Sequence, residues 1–114
     1  VFVAPCDNHT LVTNNGRIRL NKGLPVAGNR PSASVLMSSV AKVYGQKCMG
    51  VVLTGMGEDG ALGMLDIKKA GGRTIAQDEQ SSAIFGMPKA AIDNGSVDKI
   101  LNVNRIGQLL SNHT

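Results

Sequence analysis

The stretch Met49-Gly-Val-Val-Leu53, followed directly by Thr54-Gly-Met-Gly-Glu-Asp-Gly-Ala-Leu-Gly63, decides the fold of this 114-residue chain. The first five residues are apolar without polar alternation, as in a strand that is buried on both faces of a parallel sheet. The next ten contain four glycines and lead into a helical pattern, which indicates a strand-to-helix turn. Open α/β sheets place ligands and catalytic groups at such turns. The adjacent carboxylates Glu58 and Asp59 therefore mark a candidate site.

The rest of the chain continues this alternation of strands and helices. Strands are predicted at 1–4, 50–53, 73–76 and 99–102. Helices are predicted at 33–44, after a Ser32 cap, and at 61–70. Residues 80–95 are predicted to form short helical pieces broken by Gly86-Met-Pro88, and a final helix is capped by Asn104. The dipeptide Asn15-Gly16 predicts a hairpin between 10–13 and 17–20. Short turns between alternating elements favour a mostly parallel sheet with right-handed crossovers, in one domain over residues 1–114.

Composition excludes several functional classes. The net charge of +4 comes from scattered basic residues, and only three aromatic residues are present, so the chain offers no stacking platform for nucleic acid. No apolar run approaches the roughly 20 residues that span a bilayer, and no signal peptide is recognised. The two cysteines match no metal-ligand spacing and are expected to be reduced thiols in a cytoplasmic protein. No metal or organic cofactor is indicated.

One reading of the acidic glycine loop is nucleotide binding. Residues 55–60 fit the pattern G-x-G-x-x-G, and Asp78 follows about 20 residues later, where a dinucleotide site places its ribose-binding acid. However, a pyrophosphate would lie on the helix N-terminus, where Glu58 and Asp59 would repel it. A small nucleotide-binding or regulatory α/β module remains the alternative function.

Asp59 has two further interpretations. An aspartate just before a helix is usually its N-cap, and a catalytic aspartate would instead orient a histidine within a Ser-His-Asp triad. The chain contains only His9 and His113, the second close to the chain end, and no serine lies in a G-x-S-x-G elbow. The residues alone therefore supply one member of a possible hydrolytic apparatus.

Several motifs in register identify a family. Residues 51–65, Asn29-Arg-Pro-Ser32, Ala76-Gln-Asp-Glu79 and Phe85-Gly-Met-Pro88 resemble, in order and approximate spacing, the catalytic domain of the chemotaxis protein-glutamate methylesterases of the CheB type. The opening Val3-Ala-Pro5, with His9 four residues later, resembles the family's strand and loop before its hairpin. The similarity runs along nearly the whole chain.

The resemblance implies a doubly wound α/β domain with helices on both faces and a small antiparallel hairpin. It implies hydrolysis of glutamate γ-methyl esters, and in some members deamidation of glutamine, on the cytoplasmic region of methyl-accepting chemoreceptors. Asp59 matches the family's triad aspartate. Met56 and Gly57 are expected to border the ester pocket or oxyanion region, and Arg30 and His9 to lie on the substrate side.

The resemblance also predicts what lies outside these residues. The family's nucleophilic serine and its histidine fall upstream of Val1, as does the phosphorylatable receiver domain of typical members. The chain begins on an apolar run and not on Met, which indicates a piece of a longer protein. We therefore expect these residues alone to lack esterase activity. A third possibility is a non-catalytic domain that dimerises through an uncovered sheet edge.

Overall fold

The computed structural model describes residues 1–112, and His113 lies outside the described residues. In chain order the elements are β1 (His9–Val12), β2 (Ile18–Asn21), α1 (Ala33–Tyr44), β3 (Met49–Val52), α2 (Ala61–Lys69), β4 (Arg73–Gln77), α3 (Met87–Asp93), β5 (Lys99–Leu101) and α4 (Val103–Ser111). A 3₁₀ turn, Gly45–Lys47, separates α1 from β3.

Three strands form a parallel sheet in the order β3-β4-β5, with Met49 opposite Arg73 and Ile75 opposite Lys99. The strands β1 and β2 form a separate antiparallel hairpin, in which His9 pairs with Asn21. A parallel sheet connected by helices, together with a small hairpin, confirms the predicted α/β class. The parallel order brings the turns after β3 and β4 to the same edge of the sheet.

The core lies where the helices meet the sheet. Val52 of β3 packs with Ala61 and Met64 of α2 and with Ala91 of α3, and Met64 is completely buried. Burial of such a side chain stabilises the fold by roughly 1.5–3 kcal/mol. This packing holds the start of α2, and therefore the loop before it, in a fixed position.

Helices α1 and α2 approach each other closely because Gly63 has no side chain. A Cβ atom at Gly63 would lie 2.6 Å from the Cβ of Met37 and 2.9 Å from the Cα of Ser34. Real Cβ contacts are not this short, so only glycine permits the observed separation. The glycine after the acidic loop thus serves helix packing.

Local sequence signals decided most element ends as predicted. Ser32 caps α1 by accepting the N–H of Val35 at 3.4 Å, and Gly45 ends the helix. The Asn15-Gly16 turn joins β1 to β2. These features depend on a few neighbouring residues, which is why the sequence alone predicts them.

Two predicted elements and one predicted cap were wrong. Residues 1–4 form no strand in the described part of the chain, and Val1, Phe2 and Val3 are exposed, since no neighbouring strand pairs with them. Residues 80–95 contain the single helix α3, because Pro88 lies in its first turn, where a missing N–H is tolerated. The cap of α4 is Asn102, which accepts the N–H of Arg105 at 2.9 Å, and not Asn104.

Two further predictions concern the thiols and membrane insertion. Cys6 is exposed and Cys48 is buried, and each is a free thiol. Burial raises the pKa of the Cys48 thiol. Within residues 1–112, none of the helices has the length and apolar character required to cross a bilayer.

Candidate functional site

The loop after β3 is fixed at its base by the Gln77 side chain at the end of β4 and by backbone groups between β4 and α3. The N–H of Thr54 donates to Oε1 of Gln77 at 2.8 Å, and the Thr54 hydroxyl donates to the carbonyl of Ile84 at 3.0 Å. The N–H groups of Gly86 and Met87 both donate to the carbonyl of Gly55, at 3.1 and 2.9 Å. The Phe85-Gly-Met-Pro88 motif therefore holds the acidic loop in place.

The carboxylate of Asp59 is 8% exposed and accepts three hydrogen bonds from the start of α1. Its Oδ1 accepts the hydroxyl of Ser32 at 2.7 Å and the N–H of Ser34 at 3.3 Å, and its Oδ2 accepts the N–H of Ala33 at 2.7 Å. The cap of α2 is instead Gly60, which makes no side-chain cap bond. The alternative interpretation of Asp59 as the cap of its own helix is thus wrong, because its carboxylate binds the start of α1.

Ser34 makes the reciprocal contact. Its Oγ accepts the N–H of Gly60 at 2.8 Å and that of Gly63 at 3.3 Å, at the start of α2. The loop before α2 and the first turn of α1 therefore each supply a side chain that satisfies free N–H groups at the start of the other helix. These hydrogen bonds, in which Ser32 and Ser34 take part, fix the position of the acidic loop relative to the start of α1. The sequence predicts Ser32 only as a helix cap and as part of a family motif, and it predicts no role for Ser34.

The remaining loop residues face outward. Met56 is 79% exposed, Glu58 is exposed, and Gly57 has φ of +91°, a conformation that disfavours any side chain. A cavity of about 560 Å³ beside the loop is lined by apolar residues and by the polar residues Ser34, Glu58, Asp93 and Asn94, and not by Asp59. The loop thus exposes Met56 and Gly57 while it keeps the Asp59 carboxylate buried.

His9 lies behind Ser32 and is 2% exposed. Its Nδ1 accepts the N–H of Ser32 at 3.2 Å, so the proton lies on Nε2, which donates to the carbonyl of Leu24 at 2.8 Å. Both ring nitrogens are thus occupied within the chain. The structure brings His9, Ser32 and Asp59 together, with His9 on the far side of Ser32 in this hydrogen-bond chain.

Arg30 is held by a neighbouring loop. Its Nε donates to Oδ1 of Asp7 at 3.0 Å, and a second guanidinium N–H donates to the same oxygen. This hydrogen bond, followed by the positive charge of Arg30, lowers the pKa of the Asp7 carboxyl. Arg30 fixes the loop that leads into Pro31 and Ser32, and its side chain is only about a quarter exposed.

The donors and the acid that a nucleotide would need are already occupied. At the start of α2, the N–H groups of Gly60 and Gly63 donate to Ser34, and that of Ala61 donates to the carbonyl of Glu58. Asp78 accepts the N–H of Ser81 at 3.0 Å and also its hydroxyl. The geometry therefore gives the nucleotide-binding interpretation no support.

The hydrogen bonds from Ser81 to the Asp78 carboxyl can be tested through the pKa of that carboxyl. The hydroxyl and then the N–H of Ser81 lower the pKa of the Asp78 carboxyl, because both bind its charged form. We expect Ser81→Ala to bring this pKa back toward the ordinary aspartate range, as followed by ¹³C NMR titration of the carboxyl. The stabilisation that accompanies a lowered pKa is present above the unfolded-state value and is lost as pH falls through the folded-state value. This pH-dependent stabilisation should therefore be smaller in Ser81→Ala than in the wild-type protein.

Ser82→Ala is the matched control, since the Ser82 hydroxyl donates to the backbone carbonyl of Asp78 and not to its side chain. An unchanged titration of Asp78 in Ser81→Ala would show that the Ser81 hydroxyl does not bind this carboxyl.

In the part of the chain that the structure describes, no group of three or more His, Cys, Asp or Glu side chains could hold a metal ion.

The known proteins to which this chain is similar belong to one family. The family model described as CheB methylesterase matches residues 1–110. The chain is 46% identical over 110 residues to the protein-glutamate methylesterase FrzG of Myxococcus xanthus, covering 96% of the chain and 33% of that relative. It is 52% identical over 108 residues to a protein-glutamate methylesterase/protein-glutamine glutaminase of Pyrococcus abyssi, covering 92% of the chain and 29% of that relative.

A solved structure shares the fold. The catalytic domain of the Thermotoga maritima CheB methylesterase superposes with a TM-score of 0.91 at 34% identity, covering 99% of this chain and 61% of that domain. The chain thus spans about a third of the length of the two curated relatives and three fifths of the solved catalytic domain.

Proposed function

Because this chain belongs to the CheB methylesterase family, we propose that it is the carboxyl-terminal part of the catalytic domain of a receptor-modifying ester hydrolase, with Asp59 as the aspartate of a Ser-His-Asp triad. Its substrate is the γ-methyl ester of glutamate on the cytoplasmic region of a methyl-accepting chemoreceptor. Glutamine deamidation at the same site is the second reaction, supported by the name of the Pyrococcus relative.

The observation that carries this proposal is the geometry of Asp59. The carboxylate is buried in the loop after β3, and three donors fix its orientation. A carboxylate has about four lone-pair sites, so Oδ2, which accepts one bond, can accept one more. An imidazole N–H bound there would be held in one tautomer, and its cation would be stabilised.

In this proposal the nucleophilic serine and the catalytic histidine belong to a part of the protein outside these 114 residues. His9 uses both ring nitrogens within the chain, and the matching Thermotoga domain is longer than this chain. In the reaction, serine attacks the ester carbonyl as histidine takes its proton, and the protonated histidine then donates to the departing methanol. Water, deprotonated by the same histidine, hydrolyses the glutamyl-serine ester and releases free serine.

Other chain residues have secondary roles in this proposal. Met56 and Gly57, exposed in the loop, border the ester pocket or the oxyanion. Arg30 and His9 act on the substrate side indirectly, because Asp7 holds the first and Leu24 and Ser32 hold the second. A phosphorylatable receiver domain in the longer protein is a further proposed partner, and the proposed site of action is the cytoplasm.

Methanol release from a methylated receptor fragment tests the function. We expect no release with residues 1–114 alone and catalytic release with the full-length protein, since only the latter contains the complete triad. Release by the short chain at the full-length rate would place the nucleophile and base within it. Inactivity of a folded full-length protein toward both esterified and amidated receptor would reject the function.

A matching observation needs only the coding region. Upstream of Val1, it should encode a strand followed by a glycine-flanked serine, and then a strand followed by a histidine. A region with neither feature would remove the basis for the triad.

A further inference from the structure

The two oxygens of the Asp59 carboxylate are not equivalent. Oδ1 accepts two hydrogen bonds, from the hydroxyl of Ser32 and the N–H of Ser34, whereas Oδ2 accepts one, from the N–H of Ala33. Two of these donors are backbone groups that any residue would supply. The Ser32 hydroxyl is the one donor of the three that depends on the side chain at its position.

Hydrogen bonds to Val35 and His9 orient Ser32 so that its hydroxyl donates to Asp59. Its oxygen accepts the N–H of Val35 at 3.4 Å, so its proton is free to go to Asp59 at 2.7 Å. The N–H of Ser32 donates to Nδ1 of His9, which fixes the backbone of a residue that is itself 2% exposed. A chain of hydrogen bonds therefore runs from the Leu24 carbonyl through His9 and Ser32 to the carboxylate.

We propose that Ser32 is a positioning residue for the triad, whose hydroxyl occupies Oδ1 so that Oδ2 is presented to the catalytic imidazole. This inference rests on the proposed function of Asp59. Without the hydroxyl, each oxygen accepts a single backbone N–H, and the carboxylate can bind the imidazole through either oxygen or rotate between them. Only one of the resulting orientations of the Asp59 carboxylate would then hold the imidazole in the position needed for catalysis.

The expected effect falls on turnover and not on substrate binding. In the full-length protein, Ser32→Ala should lower kcat by about 10- to 100-fold, the size of effect that a misplaced catalytic group produces. KM for the methylated receptor fragment should stay within about twofold, because Ser32 touches the carboxylate and not the substrate. Ser32→Thr, which retains a hydroxyl, should restore most of kcat.

Loss of the helix cap is separated from loss of positioning by a matched control. Asn102 caps α4 by accepting the N–H of Arg105 and is exposed, so Asn102→Ala removes a cap that does not contact Asp59. We expect it to lower the melting temperature with an unchanged kcat. If Ser32→Ala does not fold, Ser32→Gly lacks the hydroxyl but retains most of the capping ability and takes its place.

Asp59→Asn, measured alongside, distinguishes the two proposals. Wild-type kcat in a folded Ser32→Ala or Ser32→Gly protein, with Asp59→Asn inactive, would overturn the positioning role and leave the triad intact. A proportional fall of kcat in Asn102→Ala would also overturn it, because general destabilisation would then explain the effect. Wild-type kcat in Asp59→Asn would reject the catalytic role of Asp59 itself.

Discussion

In the full-length protein, Asp59→Asn is expected to lower kcat by about 10⁴-fold, the loss that the same exchange causes in the triad of a serine protease. An asparagine amide has one acceptor oxygen and one donor group, where the carboxylate has two acceptors. With its oxygen at the Oδ1 position, the amide NH₂ meets the N–H of Ala33 and any imidazole N–H at the Oδ2 position. The histidine then loses the acceptor that orients it.

The same substitution should also weaken the fold. In the opposite orientation, the amide oxygen accepts from Ala33 but the NH₂ meets the N–H of Ser34, so one backbone donor of α1 loses its acceptor in either case. A buried donor without a partner costs about 1–3 kcal/mol. Urea unfolding of residues 1–114 should show this loss.

Glu58→Gln is the control for both measurements, since it removes the same charge from an exposed neighbour in the same loop. We expect it to change neither kcat nor the free energy of unfolding. A folded Asp59→Asn protein with wild-type turnover would limit Asp59 to its structural role at the start of α1.

The contacts of Asp59 also show how far the sequence predicts this site. The loop, its place after a buried strand and the acid at its end followed from local patterns, because apolar runs and glycines act over a few residues. The sequence did not predict that Ser32 binds the Asp59 carboxylate. Ser32 and Asp59 are 27 positions apart, and only the packing of α1 against α2 brings them together.

The fold shows the same division between local and tertiary causes. The apolar composition of residues 1–4 predicts a strand, but a strand also needs a neighbour, and sequence composition does not reveal whether one is present. Similarly, Asn102 and Asn104 are both able to cap a helix. The end of β5 at Leu101 decides between them, because α4 starts at Val103 directly after the strand.

The second large effect is expected at the crossing of α1 and α2. Gly63→Ala should destabilise residues 1–114 by about 1–3 kcal/mol, because the new methyl group would overlap the Cβ of Met37 and the backbone of Ser34. Alanine is the better helix former by about 1 kcal/mol, so a net loss of stability requires that the overlap outweigh this gain. Urea unfolding measures the difference.

Gly107→Ala is the matched control within another helix. Among residues 1–112, apart from its chain neighbours and the nearby backbone of α4 itself, no atom lies within 4 Å of the position that a Cβ of Gly107 would occupy, so alanine should stabilise α4 by up to about 1 kcal/mol. The two glycine substitutions should thus have opposite signs. Equal stabilisation by both would show that the two helices are not in close contact at Gly63.

The overlap at Gly63 should also reach the candidate site, since Ser34 contributes to both. Its backbone lies against Gly63, its N–H donates to Asp59, and its hydroxyl accepts the N–H groups of Gly60 and Gly63. A shift of α1 away from α2 would therefore lengthen the bonds that orient the Asp59 carboxylate. In the full-length protein, Gly63→Ala should lower kcat at temperatures where it remains folded, whereas Gly107→Ala should leave kcat unchanged.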